Sequence, residues 1–383
     1  MTHVQLSSLD VSTSLCSIAE QFDIVGEVLD VQRYGSGNVN DTFLATFALD
    51  PREKAILQKV NQQVFRRPEL IILNMRAFMG HIWTTSGRRA NTQGRRWELP
   101  DIINTKNGAD YWRDPKGGFW RMTTFVKDAQ TYDTIRDQRH AGEIGYALGR
   151  FHSLISDLPV EKLHDTLEGF HITPRYLAHY DAVIAATALT GHHKASPDVD
   201  YARDFVAARR EWASVLEDAV QRGELALRPI HGDPKVNNIL IDDITGQAVS
   251  IIDLDTVKPG LVHYDIGDCL RSCCNPLGEE TEAFEAVRFE TDLCQAILEG
   301  YLTEAQHFMT GQDYDYIYDA VRLIAFELGL RFFTDYLEGN VYFRTKDAEH
   351  NLRRALVQFR LTESIEAQAD TIQAIVAAQR SYQ

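Results

Sequence analysis

Long apolar runs are missing from this chain. No stretch approaches the roughly 18 uninterrupted apolar residues that a membrane-crossing helix needs, so no membrane partner is expected. Basic charge is scarce as well: 39 Lys and Arg stand against 55 Asp and Glu, a formal net charge of −16. Such a surface repels nucleic-acid backbones and anionic lipids, which both require a concentrated basic patch. The densest basic cluster, Arg88–Arg89 with Arg95–Arg96, is short and lies in the polar connector TTSGRRANTQGRRWE, so no nucleic-acid partner is expected. Cysteine is sparse: 5 residues, at positions 16, 269, 273, 274 and 294, an odd number with three bunched together. That argues against a disulfide framework and predicts a reducing, cytoplasmic setting. The segment CLRSCC lacks the paired C-x2-C spacing of a zinc site and reads as structural thiols. The first residues, MTHVQLSSLDVSTSLCS, lack the basic start and apolar stretch of a secretory signal, which again predicts a cytoplasmic chain.

What is present is an ordinary globular composition, 44% hydrophobic and 25% charged. At 383 residues the chain is too long for one compact core and predicts two lobes. EVLDVQRYGSGNVNDTFLATF reads as two strands around a Gly-rich turn, and AILQKV as a third. RRPELIILNMRAFMGHIW has helical spacing, and ELPDIINT and GFWRMTTFV read as two further strands around the turn-rich KNGADYWRDPKGG. Three strands, a helix and two strands make a small mixed lobe over 1–127. Beyond it, over 128–383, five long amphipathic stretches predict a mostly helical lobe: HAGEIGYALGRFHSLIS, YARDFVAARREWASVLEDAV, TEAFEAVRFETDLCQAILEGYLTEA, DYIYDAVRLIAFELGLRFFTDYL and NLRRALVQFRLTESIEAQADTIQAIVAAQ. One short hairpin interrupts them, ILI and VSIIDLD joined by DDITGQ with Gly246 in the turn. No internal repeat or low-complexity tract is visible.

That hairpin sits inside HGDPKVNNILIDDITGQAVSIIDLDTVKPG, and the polar residues around it suit phosphoryl transfer. The reaction needs a carboxylate to orient or deprotonate the attacking hydroxyl, hard oxygen ligands for Mg²⁺, and cations to offset charge on the transferred group. Protein kinases place the base Asp and a metal-binding Asn five residues apart, with a second metal-binding Asp after a hairpin. Here Asp233 is followed by Lys235 and, five positions on, by Asn238, with Asp253 and Asp255 after the next strand. A glycosyltransferase D-x-D reading of DLD would leave Asp233, Lys235 and Asn238 without a role. A nucleotide-binding pseudokinase would have lost the base or a metal ligand, and none is missing.

These residues resemble the aminoglycoside phosphotransferase and choline kinase superfamily. IIDLDTVKPGLVHYDIGDCLR, with YGSGNVNDTF, LQKVN, FHITP and LRFFTDYLEGNVYFRT, is similar to its N-acetylhexosamine 1-kinase branch, from about Gly35 to about Leu361. The resemblance implies an α+β, protein-kinase-like two-lobed fold with ATP and Mg²⁺ between the lobes. It implies phosphorylation of the anomeric C1 hydroxyl of an N-acetylhexosamine, with another sugar, a choline- or homoserine-like amino alcohol, or an aminoglycoside as the alternative acceptor. Asp233 would be the catalytic base and Lys235 would face the γ-phosphate. Asn238 and Asp253 would hold Mg²⁺, and Asp255 would add an acidic group at the metal or the sugar. His231 would brace the loop, as would Asp265 and Asp268.

The remaining site residues follow from position. Gly35, Ser36, Gly37 and Asn38 lie between two strands, where small residues let backbone N–H groups approach phosphates. Lys59 occupies the third strand, where kinases keep a phosphate-binding lysine; Glu69, near the start of the following helix, is poorly placed to pair with it. Backbone groups from Thr124 to Val126 would meet adenine. For the acceptor, Arg331 and Tyr342 are the expected sugar contacts, joined by His171 of FHITP, while Arg271 would reach either a carboxylate or the substrate.

Overall fold

In the computed structural model of this protein, residues 15–35, 39–48, 53–86, 94–190 and 196–380 are described. They form two compact units. The first runs up to Asp128 and takes in Lys162–Leu167 and Leu254–Val257; the second comprises Ala129–Glu161, Glu168–Asp253 and the chain from Lys258.

The first unit is built on β1 (Val28–Arg33), β2 (Asp41–Phe47), β3 (Lys54–Val60), α1 (Glu69–Ser86), β4 (Ile102–Ile103), β5 (Trp112–Arg113) and β6 (Phe119–Thr124). The strands form one antiparallel sheet in the order β1-β2-β3-β6-β4, with β5 also paired to β6. Alternation divides their side chains between two faces. One face gathers Val31, Phe43, Ala45, Phe47, Ala55, Leu57, Trp120 and Met122 under Ile18, Ala19 and Phe22. Burial of each large apolar side chain there contributes roughly 1.5–3 kcal/mol. The opposite face packs on α1, where Met75 Sδ lies 3.5 Å from Arg121 Nη1. Buried Asn74 of α1 explains why two distant segments join this unit. Its amide nitrogen donates to the carbonyls of His164 and Val257, each at 2.8 Å, and its oxygen accepts the His164 N–H at 2.8 Å. The sequence reading assigns both segments to the second lobe, because a single amide with two remote partners leaves no periodic signal.

The second unit contains β7 (Ala129–Gln130), α2 (Gln138–Ile155), α3 (Thr173–Thr190), α4 (Pro197–Arg209), α5 (Val215–Gln221) and β8 (Arg228–Ile230). There follow β9 (Ile239–Asp242), β10 (Ala248–Ile251), β11 (Lys258–Gly260), α6 (Val262–Cys273), α7 (Thr291–Ala305), α8 (Gly311–Asp315), α9 (Ile317–Glu338), α10 (His350–Ala367) and α11 (Ala369–Arg380). The expected hairpin is β9–β10, extended by β7 on the far side of β9, while β11 pairs with β8. Two of the longer helices were not expected. α6 is buried on nearly every side, its polar residues His263, Asp265, Asp268 and Arg271 included. α3 is rich in small residues whose apolar spacing is weak. The stretch after Asn351 is two helices rather than one: at Gln368 the side chain turns back to donate to the Phe289 carbonyl at 2.8 Å. All 5 cysteines are free thiols. Among the described residues no helix is long and apolar enough to cross a membrane.

α2 and α7 approach closely enough that glycine is required at the contact. A Cβ on Gly145 would overlap the Ile297 carbonyl, one on Gly149 the Tyr301 carbonyl, and one on Gly300 the Gly142 carbonyl. Gly145→Ala should therefore force the helices apart and destabilise by about 1–3 kcal/mol. Gly80→Ala, on an exposed helix position with open space around it, should stabilise by about 0.4–1 kcal/mol. Chemical denaturation of the two variants checks both; equal midpoints would contradict the packing described.

Candidate active site

The site begins with one backbone pairing. Ile239 of β9 lies opposite Ile251 of β10, and the Ile252 N–H donates to the Asn238 carbonyl at 2.8 Å. That bond brings Asn238, just before β9, beside Asp253, just after β10. The Asn238 amide nitrogen donates to the Asp233 carbonyl at 2.7 Å, which turns its oxygen the other way. Asp253 is exposed and holds a left-handed backbone, φ +63. For a residue with a Cβ this costs on the order of 1–3 kcal/mol and persists only where the surroundings impose it.

Asp265 of α6 holds the loop that carries Asp233. Its buried carboxylate accepts the N–H groups of His231 at 2.6 Å and Gly232 at 2.8 Å, and lies 2.8 Å from His152 Nε2. Gly232 sits at φ +87, where a side chain would add strain. His231 braces the loop as expected. Its Nδ1 accepts the Asp233 N–H at 3.2 Å and its Nε2 donates to the Ile252 carbonyl at 2.9 Å. One ring nitrogen accepting and one donating describes a neutral imidazole, and burial pushes its pKa down.

Charges alternate outward from Asp233. Its carboxylate is 3.0 Å from Lys235 Nζ. Burial raises the pKa of Asp233, Lys235 opposes that, and Asp268 adds to it. Lys235 is itself held above the usual lysine range by the Asp233 carboxylate. Asp268 accepts from Arg271 Nε at 2.9 Å, and Arg271 Nη1 lies 3.5 Å from Glu279. Burial would raise Asp268, but the cations Arg271, His171 and Lys235 hold its carboxyl below the usual range. Arg271, foreseen at a carboxylate or the substrate, is thus paired with two carboxylates.

His171, expected at the acceptor, is 3% exposed with both ring nitrogens engaged: Nδ1 lies 3.0 Å from Glu327 of α9 and Nε2 2.9 Å from the Gly232 carbonyl. Burial alone would lower this imidazole; the Glu327 carboxylate overrides it and raises the pKa, so both nitrogens donate. The neighbouring Phe170 leads to Arg331, whose guanidinium stands 5.1 Å from the Phe170 ring, 5.0 Å from Tyr176 and 5.5 Å from Phe343. Burial pushes the Tyr176 phenol up to about 12. Tyr342 is exposed, and its backbone N–H is one of three received by Asp335, with those of Val341 and Phe343, at 2.7–3.0 Å.

Within the first unit, Lys59 lies in antiparallel register opposite Trp120, with Leu57 opposite Met122, so its side chain belongs to the face away from α1. Its Nζ stands 5.7 Å from the Trp120 ring. Gln58, opposite Arg121, takes the face toward α1. Glu69 pairs with Arg113. Asp255, foreseen at the metal or sugar, is 2% exposed, ion-paired to Arg121, and accepts from Asn40 Nδ2 at 2.7 Å. Gly35 is exposed, while Ser36, Gly37 and Asn38 lie outside the described residues. Thr124 gives its N–H to the Asp101 carbonyl at 2.9 Å, and Val126 is buried.

Sequence reasoning passed over Asn40, Arg121 and Glu327. Each had a signal: an Asn at the end of the quoted GSGNVN, an Arg between Trp and Met in a strand, and one acid amid the apolar LIAFELGL. Among the described residues no group of three or more His, Cys, Asp or Glu is placed to hold a metal by itself. Asn238 and Asp253 supply hard oxygens including one carboxylate, a donor type that would suit Mg²⁺.

Solved structures share this fold. An aminoglycoside phosphotransferase from Alicyclobacillus acidocaldarius matches at a TM-score of 0.58 and 15% identity, over 100% of this chain and 97% of that one. A microcompartment-associated aminopropanol kinase matches at 0.61 and 15%, over 94% and 98%. A choline kinase from Cryptosporidium parvum matches at 0.60 and 12%, over 95% and 97%. The fold is the α+β, protein-kinase-like one expected. The family model described as "Phosphotransferase enzyme family" covers residues 30–301. More than half of the chain thus carries the family's pattern, with the loop and hairpin of Asp233 to Asp253 inside it, and the chain belongs to the phosphotransferase enzyme family.

Proposed function

We propose that this phosphotransferase moves the γ-phosphoryl group of ATP to the anomeric C1 hydroxyl of an N-acetylhexosamine, giving the sugar 1-phosphate and ADP. The observation that carries the acceptor reading is Arg331. Phe170 and His171 are adjacent residues; one lies against the Arg331 guanidinium and the other holds the Gly232 carbonyl next to Asp233. A guanidinium among aromatic faces beside the base's loop suits a neutral ligand with hydroxyl and amide oxygens, and opposes a cationic amine.

In the mechanism, Asp233 orients the C1 hydroxyl and takes its proton as the C1 oxygen bonds to the γ-phosphorus and the bond to the β-phosphate oxygen breaks. Lys235 offsets the charge on the transferred group. Arg331 and Tyr342 contact the sugar. Asn238 and Asp253 would hold Mg²⁺, which would supply positive charge to offset that of the phosphates. Val126, within the strand-β6 exit, supplies the adenine contact; Thr124 has already committed its N–H. His171, Asp255 and Arg271 take positioning roles in place of those first expected for them. The protonation of Asp233 sets the acid limb of activity.

Coupled ADP release with Mg²⁺-ATP tests the acceptor. N-acetylglucosamine and N-acetylgalactosamine should turn over with phosphate at C1, seen by phosphorus NMR. Turnover confined to glucose, galactose, choline, aminopropanol or an aminoglycoside would discard the sugar assignment. Asp233→Asn should lower kcat by about 10²–10⁴-fold with nucleotide binding kept; near-normal turnover would remove it as the base. Lys235→Met removes the cation that lowers the Asp233 pKa, so the acid limb of kcat/KM should move to higher pH. An unmoved or lowered limb contradicts the coupling.

A further inference from the structure

Lys59 leaves open which cation of the sheet does the lysine's work, since protein kinases pair a third-strand lysine with a glutamate of the helix that packs on the sheet. In this chain Gln58 takes the β3 position facing α1, and it is neutral. The charge stands one strand over, at Arg121 of β6. The Arg121 and Asp255 side chains are 4% and 2% exposed and form an ion pair. Gln58 Oε1 accepts from Arg121 Nε at 3.0 Å and Nη2 at 2.8 Å, and Gln58 Nε2 donates to Thr42 Oγ1 at 3.1 Å. The guanidinium is thereby aimed, and its planar fork serves the amide and the carboxylate together.

Asp255 lies two residues after Asp253, whose left-handed backbone needs anchors on both sides. On one side Ile252 is held through its N–H by the Asn238 carbonyl and through its own carbonyl by His231. On the other side Asp255 is held by Arg121 and by Asn40, and its carbonyl accepts from Thr166 Oγ1 at 2.8 Å.

We propose that the Arg121–Asp255 pair replaces the third-strand lysine and its carboxylate in this chain, and that Arg121 is a positioning residue setting Asp253 for the metal. The inference rests on the reading of Asp253 as a Mg²⁺ ligand, but not on the identity of the acceptor.

The test is calorimetric titration of ADP and of a non-hydrolysable ATP analogue, with and without Mg²⁺, alongside thermal unfolding. Arg121→Lys keeps the charge but loses the fork. The double variant Arg121→Met/Asp255→Leu removes both charges together and avoids stranding one in the interior. In each folded variant, metal-free nucleotide should bind within about twofold of wild type, while the Mg²⁺-induced gain in affinity falls about tenfold. If either folded variant keeps the wild-type Mg²⁺ gain, with only its melting temperature lowered, the pair is structural and the proposal is overturned. A wild-type protein whose nucleotide affinity ignores Mg²⁺ would overturn it together with the metal assignment. Absence of sugar turnover would defeat the acceptor reading and leave this result standing.

Discussion

The carboxylate of Asp265 is the constraint on which the active loop depends. It is fully buried and receives the N–H groups of His231 and Gly232 while contacting His152. A buried donor left without a partner costs about 1–3 kcal/mol, so these bonds decide the loop's conformation more than its own propensity does. From that anchor the rest follows. His231 can then accept from Asp233 and donate to Ile252, and Ile252 in turn bonds to Asn238. One helix side chain thus sets the positions of Asp233, Asn238 and Asp253 through backbone bonds. A backbone-held site is stiff, which phosphoryl transfer requires because its catalysis is mostly positioning.

Around that frame the charges are arranged in pairs rather than pooled. Asp233 faces Lys235, Asp268 faces Arg271, Asp255 faces Arg121 and His171 faces Glu327. The last three are buried, and buried pairs add little net stability, since desolvation offsets the attraction, but breaking one partner is costly. Their value lies in fixing geometry. Burial raises the Asp233 carboxyl while Lys235 draws it down, so the group's basicity is set by two opposing neighbours. Arg331 rests among the rings of Phe170, Tyr176 and Phe343.

The loop and hairpin were legible in the sequence because their spacing is local: Asp233, Lys235 and Asn238 lie within six residues, and a hairpin returns the chain to Asp253. Strand alternation likewise exposed the sheet. What local pattern cannot show is which face of a strand turns toward α1. Lys59 and Gln58 are adjacent, and only pairing across β3 and β6 separates them. The partners of Asp255 were hidden for a related reason: D-x-D reads as two equivalent acids, while Arg121 and Asn40 are more than a hundred residues away. His171 read as a pocket residue because nothing near it in sequence announces Glu327. The helix α6 was missed since its polar residues are spent inside the unit, against the usual rule of polar faces outward.

The central claim is that the anomeric oxygen attacks the γ-phosphorus under the guidance of Asp233. Phosphorus NMR of the product made from N-acetylhexosamine labelled with oxygen-18 at C1 tests it most directly. The account predicts that the label is retained in the bridge between C1 and phosphorus, with the corresponding isotope shift on the phosphorus signal. Label lost to water, or phosphate attached at any other hydroxyl with the C1 label outside the bridge, would contradict it.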